Sequence, residues 1–158
     1  MEIPMSPLEF ARRARRLYAD REAVVDGELR LTYKQFFDRC DRWSSALQAF
    51  GVGPGDRVAY IAPNTHAQLE SFYAVPQIGA VIVPVNYRLI ADDFAYIINH
   101  SGASIVCVHS DYLEAIDGIR SQLPSVTTFV APDRAITAWP EPETTLSAST
   151  TTAEAPAT

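Results

Sequence analysis

The chain has 158 residues, of which 47% are hydrophobic and 20% charged, and its net charge is −6. That length and composition are sufficient for one globular domain with a sizeable core. The negative charge argues against non-specific binding to nucleic acid or to anionic membranes, but not against a local site for a small anion. No apolar run reaches the roughly 18 residues of a membrane span, and the N-terminus lacks the apolar core of a secretory signal, so we expect a soluble cytoplasmic protein.

The chain contains two cysteines, Cys40 and Cys107. One falls on a predicted helix face and the other inside an apolar strand. We interpret both as small buried hydrophobic residues in a reducing compartment, with a disulfide or a metal pair as the alternative.

The first predicted element is a helix that starts at Ser6. Ser6 to Glu9 match a capping box with proline at the first helical position. We expect the apolar positions to face inward and the arginines at 12, 13, 15 and 16 to lie mostly on the other side. A solvated surface is our interpretation of the arginines, and a partner-binding basic face is the alternative. The apolar positions are Leu8, Phe10, Ala11, Ala14, Leu17 and Tyr18.

A hairpin and a long helix come next. Ala23–Asp26 and Glu28–Thr32 are predicted strands around an Asp-Gly turn. Thr32 and Gln35 form a second capping box, and Gly51 is placed to end the helix that follows. A stripe of apolar residues at steps of three and four predicts the buried face of this helix: Phe36, Cys40, Trp43, Leu47 and Phe50.

The stretch Ser71–Leu89 is predicted to organise the fold. After the turn at residues 53–56 and the strand Arg57–Ile61, Pro63-Asn64-Thr65 caps a helix that runs into it. The expected inner face of this helix consists of Leu69, Phe72, Tyr73, Pro76 and Gln77. The run Ala80–Val85 is apolar on both sides, which is typical of a parallel strand covered by helices on both faces.

The same alternation of helix and strand continues to residue 130. The predicted elements are the helix Asp92–Ser101, the strand Ser104–Val108, the helix Asp111–Leu123 and the strand Val126–Val130. They predict an α/β fold, a three-layer (Rossmann/flavodoxin-like) subdomain with a parallel sheet and a small N-terminal hairpin, over residues 1–130. Residues 131–158 are rich in Thr, Ala, Pro and Ser without periodicity, and we expect them to form a disordered tail.

The residues that could carry chemistry are few. No Gly-rich phosphate loop follows a strand, and the three histidines lack metal-ligand spacing with each other or with the cysteines. His66 is predicted in the first turn of a helix and His100 in the last turn of another. We interpret both as ordinary surface residues. His109 ends a strand, at the edge where α/β sheets bind ligands, and an ordinary loop histidine is the alternative. We therefore assign no catalytic, cofactor-binding or metal-binding residue.

Several short motifs occur in an order that is similar to the AMP-forming adenylating enzymes, the superfamily of acyl-CoA synthetases, peptide-synthetase adenylation domains and luciferases. Leu31–Phe36 resembles their opening motif, and Gly53–Ala59 resembles the turn and strand that follow it. Gln77–Ala80 and Val83–Leu89 resemble the second motif. With His100–Ala103, this continuation is most similar to the acyl-CoA synthetase branch, whereas adenylation domains usually carry aspartate at the position of the asparagine at 86.

The resemblance implies ATP- and Mg²⁺-dependent activation of a carboxylic acid, followed by acyl transfer to CoA. In the family, this chemistry uses a Ser/Thr/Gly-rich loop with a lysine, a Tyr-Gly-Thr-Glu-like segment, an aspartate on the ribose and a lysine on a mobile C-terminal domain. None has a counterpart here, since Thr150–Thr152 lacks the glycines and the lysine. The chain is therefore expected to be the N-terminal piece of such a ligase, truncated before the catalytic motifs, inactive alone and binding no cofactor itself.

Two other functions stay open at this stage. One is a non-catalytic interaction or scaffold module that uses the same fold. The other is a small-molecule binder that uses the loops after Ile61, Val85 and Val108. The first hypothesis, a ligase fragment, also predicts self-association through apolar faces that the rest of the enzyme would cover, and no nucleic-acid partner.

Overall fold

Four parallel strands form the centre of the molecule, and the computed structural model describes residues 6–133. Two short 3₁₀ turns, Ser110–Tyr112 and Arg120–Gln122, flank the last helix. The helices and strands are, in chain order, α1 (Pro7–Leu17), β1 (Glu22–Asp26), β2 (Leu29–Thr32), α2 (Tyr33–Ala49), β3 (Arg57–Ile61), α3 (His66–Gln77), β4 (Val81–Val85), α4 (Ala91–Ser101), β5 (Ile105–Val108), α5 (Leu113–Asp117) and β6 (Thr128–Val130).

The order of the strands in the sheet is β4-β3-β5-β6, and all of them are parallel. The chain passes from β3 outward to β4 and then crosses back to β5 on the other side of β3. The strand order therefore reverses between β3 and β5, where Ile61 is paired in register with Val108. In open α/β sheets, the crevice outside the carboxyl ends of such strands is the usual ligand site.

Two hydrophobic cores lie on opposite faces of this sheet. Val58 and Tyr60 of β3 belong to the core formed with α2 and α3, whereas Ala59 and Ile61 belong to the core formed with α4 and α5. This alternation follows from the two-residue period of a strand. Because both faces are covered by helices, the predicted three-layer α/β fold with a parallel sheet is confirmed.

The hairpin and α2 follow the sequence signals closely. Gly27 has a φ of 55°, as the first central residue of a two-residue hairpin turn requires. Thr32 Oγ1 accepts from the Gln35 amide, and the Gln35 side chain accepts from the Thr32 amide, so the predicted capping box is present. Four of the five residues of the predicted stripe are buried along α2, with Trp43 only 1% exposed, whereas Phe50 follows the end of the helix and is half-buried.

The orientation of α1 differs from the prediction. Ala11 is its only buried residue, whereas Phe10 is 73% and Leu17 51% exposed. Arg15 points inward instead, where its guanidinium pairs with Asp41 at 2.6 Å and lies over the Phe37 ring. The helix packs on the rest of the protein through small residues, so half of its apolar face stays uncovered.

The inner face of α3 is also different from the predicted one. Leu69 and Phe72 are exposed, and the buried positions include Glu70, Ser71 and Ala74. The reason lies on α2, which supplies polar partners for this face. Trp43 Nε1 donates to Ser71 Oγ at 2.8 Å, and Ser44 Oγ donates to the Ala74 carbonyl at 2.8 Å.

Strand β4 lies at the edge of the sheet, so the expectation of a fully covered strand is wrong. Val81 is 50% exposed, and Pro84 is exposed as well. The Val81 amide donates to the Asp56 carbonyl, so Val81 faces β3 and the nitrogens of Ile82 and Pro84 face away from it. Proline lacks an N–H group and within sheets is confined to such positions, which makes Pro84 the signal for an edge strand.

The predicted helix Asp111–Leu123 is broken into the 3₁₀ turn at Ser110, α5 and a second 3₁₀ turn. Gly118 follows the last residue of α5, and glycine in a helix interior costs roughly 1 kcal/mol relative to alanine. The predicted inward residues, Leu113, Ile116 and Ile119, are nevertheless buried.

Three further predictions concern the whole chain. Cys40 and Cys107 are free and buried, as expected. No helix within residues 6–133 is long and apolar enough to cross a membrane. The predicted tail lies outside the described residues from 134 onward, and within the described part Ala131 is buried against the core. The boundary at residue 130 stays a prediction.

Candidate functional site

Residues from three strand ends come together at the carboxyl edge of the sheet. The His109 amide extends the ladder by donating to the Ile61 carbonyl at 2.8 Å. Asp133, just after β6, accepts the Ser110 amide with both carboxylate oxygens at 3.0 and 3.1 Å. The Tyr112 ring lies 6.4 Å from the His109 ring and 5.7 Å from that of Tyr87, which follows β4.

The hydrogen bonds of His109 limit what its imidazole can do. Nδ1 accepts from the Asp111 amide at 3.3 Å, and Nε2 lies 3.6 Å from the Asp133 carboxylate. Nδ1 also lies 3.4 Å from the Asp111 carboxylate. Both ring nitrogens thus contact residues that follow β5 or β6, and we interpret His109 as a residue that joins the ends of these two strands.

The other two histidines are not part of this cluster. His66 Nδ1 lies 2.7 Å from Asp26 of the hairpin, and the same carboxylate accepts the His66 amide at 2.9 Å. These bonds to His66 lower the pKa of Asp26, the backbone bond most strongly. The His100 ring stacks on that of Tyr96 at the end of α4. The structure thus gives each histidine a separate local environment.

A buried ion pair connects the helices α2 and α3. Arg39 Nε donates to Glu70 Oε1 at 2.5 Å, and the Glu70 side chain is fully buried. Glu70 Oε2 has no hydrogen-bond partner among the described residues. Burial raises the pKa of this carboxyl, and the hydrogen bond and charge of Arg39 oppose that shift. The pair is the charged member of a set of polar contacts between α2 and α3, which includes the hydrogen bonds of Trp43 and Ser44.

Comparison with known proteins identifies the family. The model of the family described as "AMP-binding enzyme" matches residues 10–158. The chain belongs to the AMP-binding enzyme family. The resemblance drawn from the short motifs is therefore confirmed.

Relatives of this AMP-binding chain are acyl-CoA ligases. It is 39% identical over 119 residues to 4-hydroxybutyrate–CoA ligase 2 of Metallosphaera sedula, covering 75% of this chain and 22% of that protein. It is 36% identical to the long-chain-fatty-acid–CoA ligase of Thermus thermophilus, covering 84% of this chain and 25% of the relative. The chain thus spans about a quarter or less of these curated relatives.

A solved structure of the same family shares the fold. The crystal structure of a putative long-chain-fatty-acid CoA ligase from Rhodopseudomonas palustris superposes with a TM-score of 0.76 at 35% identity. The match covers 80% of this chain and 32% of the solved one. Residues 6–133 therefore have the fold of one part of a CoA ligase.

The residues described for this AMP-binding chain do not fit a nucleotide phosphate at the carboxyl edge. Free backbone N–H groups at a helix start bind phosphates. Here the Ser110 amide bonds to Asp133 and the His66 amide bonds to Asp26, so carboxylates lie where a phosphate would bind. The Arg88 amide bonds to the Asn86 side chain. Within residues 6–133, no group of three or more acidic, histidine or cysteine side chains is placed to hold a metal.

Two polar pairs were not found by sequence reasoning. Asp26 is read as a hairpin-turn residue and lies 40 residues from His66, so no local spacing connects them. Glu70 lies on the buried face of α3, and its partner Arg39 is 31 residues away on another helix. Both pairs depend on how distant elements pack.

Proposed function

We propose that this chain forms the N-terminal part of an ATP-dependent acyl-CoA ligase and does not form an acyl-adenylate by itself. The family match carries the first half of the proposal, since the matched relatives are named as CoA ligases. The occupied helix starts at the carboxyl edge support the second half. In this proposal, ATP, Mg²⁺ and CoA are bound by other parts of the complete enzyme.

A pyrophosphate-release assay tests whether the chain forms an acyl-adenylate by itself. The purified chain is incubated with ATP, Mg²⁺ and short-chain, long-chain or aromatic carboxylates. We expect no carboxylate-dependent pyrophosphate above the enzyme-free blank, because within residues 6–133 the helix starts after β3 and β5 bond to carboxylates and not to the charge that develops on the phosphates. The full-length Thermus relative serves as the active control. Turnover that depends on the carboxylate would contradict the proposal.

Complementation tests whether this chain can form the N-terminal part of an acyl-CoA ligase. The Thermus relative is expressed without its matched segment, and this chain is added to the same cell from a second gene. Partial recovery of ligase activity is expected if the chain supplies the missing part of the large domain. An equal amount of the Trp43→Ala variant, whose core is damaged, serves as the control. Failure to recover activity with correctly folded partners would favour a separate interaction module.

We also propose that the isolated chain self-associates through apolar surface. Val25, Leu69 and Phe72 are exposed together around a cleft of about 260 Å³ between the hairpin and α3. Exposed apolar clusters of this kind usually mark an interface. In the complete enzyme, this surface would be covered by the rest of the protein.

Light scattering after size-exclusion chromatography measures this association. We expect a concentration-dependent dimer or larger species that the double change Leu69→Ser and Phe72→Ser converts to a monomer. Tyr96→Ser removes an exposed aromatic ring on α4, away from the cleft, and is the matched control. A wild-type chain that stays monomeric at high concentration would refute self-association.

A further inference from the structure

The outward side of α1 combines exposed apolar and basic side chains. Phe10 and Leu17 are separated by seven residues, which places them two turns apart on the same side of the helix. Arg13 lies beside Phe10 at a spacing of three residues, and Arg16 follows at the next such step. Arg12 is exposed on the same helix. We call these five residues the outer α1 face: Phe10, Arg12, Arg13, Arg16 and Leu17.

Two charges of this face, those of Arg13 and Arg16, are available for a partner. Arg15 forms an ion pair with Asp41 of α2, and Arg12 forms an ion pair with Glu9 on the surface. Arg13 and Arg16 form no ion pair or ring contact with any residue in 6–133. An 11-residue helix thus contains four of the 13 basic residues of a chain whose net charge is −6. The charge distribution is locally opposite to that of the whole molecule.

We propose that the outer α1 face docks on an anionic lipid bilayer. The headgroup region of such a bilayer offers phosphates to arginine side chains and an apolar boundary to Phe and Leu at the same depth. Arginine stems lie along apolar surface while their guanidinium groups stay hydrated. An acidic protein would satisfy the arginines, but it would also need an apolar pocket for Phe10 and Leu17.

The net negative charge of the chain weakens this binding without abolishing it. At physiological ionic strength the Debye length is about 8 Å, so acidic groups farther from the bilayer than this are largely screened. Docking then depends on orientation, with α1 parallel to the surface. It also depends on the anionic lipid fraction and falls as salt is added.

Vesicle sedimentation with the full chain tests the proposal. Large unilamellar vesicles are made of phosphatidylcholine alone or with about a third phosphatidylserine, an amount that gives a strongly negative surface. We expect the chain to pellet with the mixed vesicles and not with the neutral ones. The double change Arg13→Glu and Arg16→Glu should weaken binding on the order of tenfold or more, and Phe10→Ser with Leu17→Ser should weaken it at every salt concentration.

Matched variants separate the surface from general charge and folding effects. Arg42→Glu with Arg88→Glu makes the same change in net charge on other exposed positions and should bind nearly as well as the wild type. Circular dichroism checks that each variant is folded. Equal loss in the Arg42 and Arg88 variant, or binding that survives the change at Arg13 and Arg16, would overturn the proposal. So would capture by polyglutamate without binding to anionic vesicles.

Discussion

Replacing Trp43 by alanine is expected to lower the free energy of unfolding by about 3–5 kcal/mol, as large-to-small changes of buried aromatic residues do. Trp43 is 1% exposed in the core between α2 and the sheet, and its Nε1 donates to Ser71 Oγ at 2.8 Å. The change removes both the packing of a large ring and a buried hydrogen bond. Since small domains have a total stability of about 5–15 kcal/mol, much of the fold's stability would be lost.

Urea unfolding followed by far-ultraviolet circular dichroism measures this loss, because the change removes one of only two tryptophans as a fluorescence reporter. Trp43→Phe keeps most of the ring and should cost clearly less than Trp43→Ala. Phe10→Ala deletes an aromatic ring that is 73% exposed and should change stability by no more than about 0.5 kcal/mol. Equal losses in the Trp43 and Phe10 variants would contradict the described core.

Breaking the buried pair from the Arg39 side should have the second large effect. Arg39→Met leaves the Glu70 carboxylate buried without its cation, and such changes cost about 3–5 kcal/mol. Replacing both residues, as in Arg39→Met with Glu70→Leu, should cost much less because no charge is left buried. A double-mutant cycle of the free energies of unfolding measures this coupling.

The pH dependence of Glu70 has a defined sign. Burial raises the pKa of Glu70 in the folded state, so the neutral form is favoured on folding. The stabilisation is complete below the ordinary glutamate pKa of about 4.3 and is lost as pH rises through the raised folded value. Relative to the wild type, Glu70→Gln should therefore gain stability with rising pH across this interval.

The control for the buried pair is an exposed one. Lys34 pairs with Asp38 one turn along α2, and both side chains are about half exposed or more. Lys34→Met should cost no more than about 0.5 kcal/mol, as exposed pairs at this spacing do. If Lys34→Met and Arg39→Met cost the same, the Arg39–Glu70 pair is not a buried interaction in solution.

Local signals in the sequence predict the elements of this fold well. The capping box at Thr32 and the stripe through Trp43 both describe α2 correctly, because a cap and a 3.6-residue period depend only on neighbouring residues. The strand β5 is buried as predicted because its run is apolar at every position. These features are fixed before tertiary packing is considered.

Predictions that depend on the packing of distant elements are less accurate. The inner face of α3 is rotated toward Glu70 and Ser71 because α2 provides Arg39 and Trp43 as partners. Neither partner can be assigned to α3 from spacing along the chain. The same holds at the candidate site, where Asp133 reaches Ser110 across 23 residues, and only the position of His109 at a strand end is readable from the sequence.

Pro84 has a consequence for how this protein can assemble. A strand from another molecule that aligned beside β4 would find the Ile82 amide but no donor at Pro84, so its ladder would lack one of the hydrogen bonds that β4 could otherwise donate. At the opposite border, β6 spans only three residues and offers a short template. Assembly of several copies should therefore proceed through side-chain contacts and stop at small closed species, rather than extend into fibrils.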